Sequence, residues 1–224
     1  MSITDQDVKL VINENGQGHA MLGNSYWAEK GVPILAHEDA LLEIESKGYD
    51  ALARHETVLR ERVENTTVAL PTDTFTKARL IEMGEFKIEV LNLGPAHSPG
   101  DISVWLPEEK LVIAGDMAFH ERMLPIFEDT NTAEWLETWE NEFEALNATY
   151  VIPGHGHPTN MAQVRRFTKD YLIHLRSRIR EHIDQGGELD KAYYVDQDAF
   201  KHLDTFEQLA TRNAGRVFEE MEWE

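Results

Sequence analysis

The chain has no cysteine, no apolar run long enough to cross a membrane, and only 21 basic side chains against 41 acidic ones. Without cysteine, disulfides and thiolate zinc sites are excluded, so histidine and carboxylate side chains are the strong metal ligands that remain. A membrane helix needs about 20 consecutive apolar residues. Residues 1–5 also lack the basic segment and apolar core of a secretory signal. We therefore expect a soluble protein, and its compartment stays open.

The formal net charge of −20 disfavours nucleic acid as a partner, because phosphate contacts need clustered lysines and arginines. The charge is typical of a solvated acidic surface. Such a surface repels acidic substrates unless a local basic patch or a metal ion reverses the field. One basic stretch lies on a helical pattern, where ion pairing with acidic helices is its expected role. Its members are Arg165, Arg166, Lys169, Arg176, Arg178 and Arg180.

The length of 224 residues with 42% hydrophobic residues suits one substantial domain, residues 1–224, that buries roughly 70–75% of its unfolded surface. Hydrophobic periodicity predicts a mixed α/β fold. We expect a helix beginning near residues 23–27, a strand at 32–36, one or two helices within 38–65, a hairpin within 75–93 that turns at Gly84, helices at 132–146 and 161–185, and a helical tail.

Three short motifs place histidine or aspartate directly after β-rich apolar stretches. They are GPAHSPGD at residues 94–101, AGD at residues 114–116 and PGHGH at residues 153–157. We expect each motif to be a turn at the end of a strand. Rigid strands with glycine-rich turns would let His97, Asp116 and His155 converge on one cation.

In this order, the three motifs resemble the second half of the metallo-β-lactamase superfamily, and residues 102–113 fit a strand-turn-strand between two of them. The resemblance covers nearly the whole chain from about Val8. It implies an αββα sandwich, in which two β-sheets are flanked by helices, with metal ligands at His97, Asp116 and His155. A complete site of the family holds two zinc ions bridged by the aspartate, and its activated water attacks a carbonyl or phosphoryl centre.

The chain departs from the family in the loop after its first predicted strand, residues 8–13, where the family carries His-x-His-x-Asp-His. The two leading histidines are replaced by Asn15 and Gln17, and neither amide is a good zinc ligand. An ungapped count puts His19 at the aspartate. A count with one gap puts His19 at the closing histidine and Gly18 at the aspartate, and we prefer it because it retains a ligand.

The number of surviving ligands decides the predicted chemistry. With the gapped alignment, one metal position keeps His19, Asp116 and His155, and three protein ligands plus water make a workable catalytic zinc site. The other position keeps only His97, which we expect to orient the water or to bind the metal directly. We therefore predict a hydrolase with one zinc ion, with Asp116 and His97 as catalytic residues, acting on an ester, thioester or lactam. The alternative is a metal-free pseudoenzyme, a binding or structural protein on a decayed hydrolase scaffold.

The chain also begins almost at the metal-binding loop, whereas members of the family have several strands and a helix before it. We expect a domain truncated at its N-terminus, whose first sheet lacks its first strands. Such a sheet exposes unpaired edge groups and an apolar face, which invite pairing with another chain. A homodimer that completes the sandwich, with or without exchanged elements, is the expected assembly. The expected ligand is a small-molecule substrate, with no nucleic acid and no membrane as partner.

Overall fold

The computed structural model describes residues 5–224, so most of the segment on which the secretory-signal expectation rests lies outside it. A small parallel sheet comes first, with strands in the order β1-β2-β3. These strands are β1 (Val11–Ile12), β2 (Ile34–His37) and β3 (Asp73–Phe75). The helices between them are α1 (Gly18–Met21), α2 (Asn24–Glu29) and α3 (Glu38–Leu59), the last continued by a 3-10 turn at Arg60–Val63.

A second, larger sheet has the order β4-β5-β6-β7-β8, antiparallel except for the parallel pair β7 and β8. Its strands are β4 (Ala78–Met83), β5 (Phe86–Leu91), β6 (Ser103–Leu106), β7 (Leu111–Phe119) and β8 (Tyr150–His155). The predicted hairpin is confirmed, and it turns at Gly84 with a φ of +64°, in the region that glycine adopts without steric cost.

Helices cover one face of this second sheet. They are α4 (Thr132–Thr138), α5 (Met161–Phe167), α6 (Lys169–Asp184), α7 (Leu189–Ala192) and α8 (Phe206–Met221). A π turn at Trp139–Phe143 and a 3-10 turn at Glu144–Leu146 extend α4, and a further 3-10 turn lies at Asp198–Phe200. Trp135 and Trp139, four residues apart, are both fully buried in the core between helices and sheet. The predicted mixed α/β fold is confirmed.

The opposite face of the second sheet is apolar and only partly covered by the short first sheet. Between the two sheets runs an apolar groove with a volume of about 620 Å³. Its lining includes Leu10, Ile12, Ile81, Ile88, Val104 and Ile113. Ile113 is 40% exposed, and among the described residues β1 pairs with β2 alone. The expected exposed apolar face and open sheet edge are therefore present.

Several predicted element boundaries were wrong. Asp116 does not lie in a turn: β7 continues through it to Phe119, with shifts in the register against β8 on either side of Gly115. Gly115 has a φ of +58°, as expected of a bulged residue within a strand. His155 is the last residue of β8 rather than part of the turn after it. The predicted first strand is two residues long.

The single helix predicted at residues 161–185 is two helices, α5 and α6. The break falls at Thr168, whose hydroxyl oxygen accepts a hydrogen bond from the Phe119 backbone N–H at 2.8 Å. Thr168 therefore joins this helical layer to the end of β7.

The basic stretch of α5 and α6 is engaged mainly in ion pairs, as expected. Its partners are acidic side chains of the π and 3-10 turns after α4, of α6 and of the C-terminal segment: Glu140, Glu144, Glu181, Glu220 and Glu224. Arg166 instead lies over the ring of Phe167. None of the described helices is long and apolar enough to cross a membrane.

Candidate metal centre

Four side chains from separate segments meet around the carboxylate of Asp116. His19 comes from the first turn of α1, His97 from the loop between β5 and β6, and His155 from the end of β8. The Nε2 atoms of His19 and His97 are 3.3 and 3.7 Å from Asp116 Oδ2, and His155 Nε2 is 3.6 Å from Asp116 Oδ1. The structure therefore brings together all four residues that the sequence singled out.

Three of these residues have the spacing that a metal ion requires. One ligand atom from each of His19, Asp116 and His155 lies within 4.8 Å of the others. Tetrahedral zinc with bonds of 2.0–2.1 Å holds its ligand atoms about 3.3 Å apart. Asp116 Oδ1 is buried and has no hydrogen-bond partner among the described residues. Because a buried carboxylate oxygen needs compensation, the donor set fits a divalent cation.

His97 occupies a different environment, an aromatic enclosure. Its side chain is 1% exposed and packs against the rings of Phe119, Phe127 and Trp135. Its Nδ1 is buried without a hydrogen-bond partner in residues 5–224, and it is not a member of the group of three. Burial lowers the pKa of His97 despite the nearby charge of Asp116, so its imidazole is neutral at neutral pH.

His19 and Asp116 form the charged pair of the site. Burial would raise the pKa of Asp116, but the hydrogen bond from His19 and the positive charges that the three histidines carry when protonated lower it to about 2. Burial would lower the pKa of His19, but hydrogen bonds to Asp116 and Glu14 raise it to about 10. Burial lowers the pKa of His155. A metal ion bound here would take the place of the His19 proton.

Asn15 and Asp101 form a buried polar layer behind Asp116. The Asn15 Nδ2 donates to Asp101 Oδ1 at 3.2 Å and to Asp116 Oδ2 at 3.3 Å. Asp101 in turn accepts hydrogen bonds from the backbone N–H and the hydroxyl of Ser98, both at 2.7 Å, which fixes the loop that carries His97. Burial and the charge of Asp116 raise the pKa of Asp101 to about 8. Asn15 therefore positions the carboxylate rather than replacing a histidine as ligand.

Sequence reasoning missed the roles of three residues at the site. Glu14 Oε1 is 3.1 Å from His19 Nε2, and Asn15 and Asp101 hold Asp116 and its neighbouring loop. Asp101 is the last residue of the motif at residues 94–101, so its place in the sequence could have indicated a role in the site. Glu14 belongs to no pattern, because its role depends on where the first loop folds back on His19.

Two glycines of the motifs are required by close approach rather than by turns. A Cβ atom on Gly154 would meet Asp116 Oδ1 and the Gly115 backbone, and one on Gly115 would meet Glu14 Oε2 at 2.6 Å. Gly115 and Gly154 therefore leave the space that the carboxylates of Glu14 and Asp116 occupy.

Gly154→Ala is expected to lower zinc affinity by about 10-fold or more, the size of effect seen when a residue that orients a metal ligand is lost. The added methyl group would displace the Asp116 carboxylate from its position beside the histidines. Gly23→Ala is the matched control, since a Cβ there meets no described atom within 4 Å. Zinc titration of both variants checks this, and equal affinities would contradict the proposed packing.

Comparison with known proteins gives a consistent family. A profile described as "Metallo-beta-lactamase superfamily" matches residues 21–155, a segment that contains His97, Asp116 and His155. The chain is similar to the "Metallo-beta-lactamase type 2" of Bacteroides fragilis, 25% identical over 116 residues, and to that of Bacillus cereus, 25% identical over 125 residues. These matches cover 50% and 54% of this chain and 46% and 49% of the relatives. The chain thus spans about half the length of the curated relatives it matches.

Solved structures share the fold at low sequence identity. The metallo-beta-lactamase from Pontibacter korlensis superposes with a TM-score of 0.62 at 18% identity, and metallo-beta-lactamase IND-7 with 0.59 at 19%. In both cases the match covers 75% of this chain and 70% of the other.

Proposed function

The chain belongs to the metallo-β-lactamase superfamily, and from this we propose that it is a hydrolase that depends on a single zinc ion held by His19, Asp116 and His155. One observation carries the proposal: ligand atoms of these three residues lie within 4.8 Å of one another around a buried carboxylate oxygen without a partner. The substrates are esters, thioesters or lactams.

The residues around the ion have separate roles. Zinc bound at such a site lowers the pKa of a water molecule and polarises a carbonyl group. His97 is a neutral imidazole in an enclosure of three aromatic rings, with its Nε2 directed at the Asp116 carboxylate. It orients the attacking water by a hydrogen bond. Asp116 keeps His19 and His155 aligned through contacts with both of its oxygens.

One ion fits better than two. The residues at the family's two leading histidine positions are Asn15 and Gln17, whose amides are weak zinc ligands. The Asn15 amide group turns its N–H donors, not its oxygen, towards Asp116 and Asp101. Its oxygen accepts a hydrogen bond from the Gln17 backbone N–H at 3.0 Å. This arrangement supports a single metal ion beside His19.

Turnover of a panel of an ester, a thioester and a lactam tests the activity. We expect zinc-loaded protein to hydrolyse at least one of them, to lose turnover in a chelator and to recover it with zinc. His155→Ala should abolish turnover, whereas His202→Ala, an exposed histidine, should not. Stable zinc binding without turnover of any substrate would contradict the hydrolase and favour the alternative, a binding or structural protein on the same scaffold.

We also propose that the protein is a homodimer formed through the apolar groove between its sheets. The groove exposes Ile113 and lies beside β1, whose outer edge is open among the described residues. Covering such a surface with a second copy removes apolar area from water and pairs the strand edge.

Sedimentation equilibrium at micromolar concentration is expected to give twice the chain mass of 25.7 kDa. Ile113→Asp should yield monomers, because it places a charge in the groove. Ile173→Asp changes a similarly exposed isoleucine on α6 and should leave the dimer intact. A wild-type mass of one chain would contradict the proposal.

A further inference from the structure

A second cavity, with a volume of about 840 Å³, includes His19 in its lining. It lies between the first loop, α3, the segment around Phe127 and α8, and its lining includes Lys47, Arg54 and Arg212. Because His19 belongs both to this cavity and to the candidate metal centre, a molecule in the cavity can contact one of the proposed metal ligands.

The cavity contains two arginines without an acidic partner. Lys47 pairs with Asp129 at 2.8 Å, and Arg216 pairs with Glu219 at 2.9 Å. Within residues 5–224, neither Arg54 nor Arg212 has a carboxylate in ion-pair contact.

This lack of pairing is unexpected in a chain with 41 acidic and 21 basic side chains. The cavity lining also includes three acidic side chains, of which Asp129 and Glu43 already contact Lys47. Counted over the whole lining, four cationic side chains stand against these three carboxylates, and Arg54 and Arg212 are the two cations without a carboxylate partner among the described residues.

Arg212 is held next to the candidate catalytic histidine. Its guanidinium carbon lies 5.0 Å from the ring centroid of Phe127, and that ring lies 5.1 Å from the ring of His97. The Phe127 ring thus packs near both the guanidinium group and the imidazole. When a guanidinium group lies over an aromatic ring, the N–H donors at the edge of the guanidinium group remain available for hydrogen bonds.

The backbone that carries Arg212 is anchored to the same segment as Phe127. The neighbouring Asn213 is buried, accepts a hydrogen bond from the Ile126 N–H at 2.9 Å and donates to the Leu124 carbonyl at 2.8 Å. These bonds tie α8 to the segment that ends at Phe127. The backbone at Arg212 is therefore held next to the segment that carries Phe127.

We propose that the substrate carries an anionic group, a carboxylate or a phosphate, which Arg212 and Arg54 bind while the bond to be hydrolysed lies at the metal centre. This inference rests on the proposed function and names its substrate class. Guanidinium groups bind both anions through paired, charge-assisted hydrogen bonds. The overall negative charge acts weakly at this range, since physiological salt screens exposed charges beyond about 8 Å.

Two esters of similar size test the preference in the zinc-loaded protein: the mono-p-nitrophenyl ester of glutarate, which is anionic, and p-nitrophenyl pentanoate, which is neutral. Loss of a hydrogen bond to a charged group corresponds to about 10–100-fold. We expect Arg212→Gln and Arg54→Gln to lower kcat/KM for the anionic ester by about 10-fold or more, mainly by raising KM. The neutral ester should change less than about two-fold, and the control Arg79→Gln should affect neither.

A binding measurement separates this inference from the proposed function. Calorimetric titration in a chelator compares glutarate, inorganic phosphate and neutral glutaramide, so that zinc contributes nothing. Both arginine variants should weaken binding of the preferred anion by about 10-fold or more, and the tighter of the two anions identifies the group. The inference is overturned if glutaramide binds as tightly as both anions, or if the variants bind like wild type. Absence of ester turnover alongside variant-sensitive anion binding would contradict only the proposed function.

Discussion

Asp116→Asn is expected to lower zinc affinity by at least about 100-fold and to abolish zinc-dependent hydrolysis. Asp116 contacts His19, His97 and His155 and is the only carboxylate in the described group of possible ligands. Loss of a residue that merely orients a ligand costs about 10–100-fold. Asparagine keeps the shape of the side chain but removes its charge and therefore its strength as a ligand.

A competition titration against a chromophoric chelator measures this affinity. Asp184→Asn is the matched control, because Asp184 is exposed at the end of α6 and distant in sequence from every ligand. Circular dichroism establishes that both variants are folded. If Asp116→Asn binds zinc as tightly as Asp184→Asn, Asp116 is not a ligand and the proposed site is wrong.

Trp135→Ala is expected to lower the free energy of unfolding by about 3–5 kcal/mol, the range for removing a buried tryptophan from a core. Trp135 is fully buried, its indole N–H donates to the Met117 carbonyl at 3.2 Å, and its ring packs against His97 and Phe119. The change leaves a cavity and an unpaired carbonyl beside the candidate catalytic histidine.

Trp223 provides the matched comparison, since it is 87% exposed. Trp223→Ala should change the free energy of unfolding by less than about 0.5 kcal/mol. Urea denaturation followed by circular dichroism measures both variants. A Trp135→Ala variant with the denaturation midpoint of Trp223→Ala would contradict the role of this side chain in the core.

The sequence predicted the convergence of His97, Asp116 and His155 because each lies in a glycine-containing motif after an apolar stretch. It predicted the wrong local structure for Asp116. Gly115 and Asp116 are typical of a turn, but here the positive φ of Gly115 belongs to a bulge, and β7 continues beside β8 to Phe119. A bulge depends on the partner strand, and a single strand's sequence does not specify it.

The remaining parts of the site depend on contacts between distant segments. His19 contacts Asp116 in the structure, whether it is aligned with the aspartate or with the closing histidine of the family motif. Only the folded loop shows that Glu14 also contacts the His19 Nε2. Arg54 and Arg212 belong to α3 and α8, and hydrophobic periodicity predicts those helices without predicting that both line one cavity.

Elemental analysis of the wild-type protein, dialysed against zinc and then freed of unbound metal by gel filtration, tests the central claim most directly. We predict about one tightly bound zinc ion per chain, released by a chelator and absent from Asp116→Asn. No bound zinc in the wild-type protein would contradict the account and leave His19, Asp116 and His155 as remnants of a metal site. Two equivalents of zinc would contradict the single-ion centre.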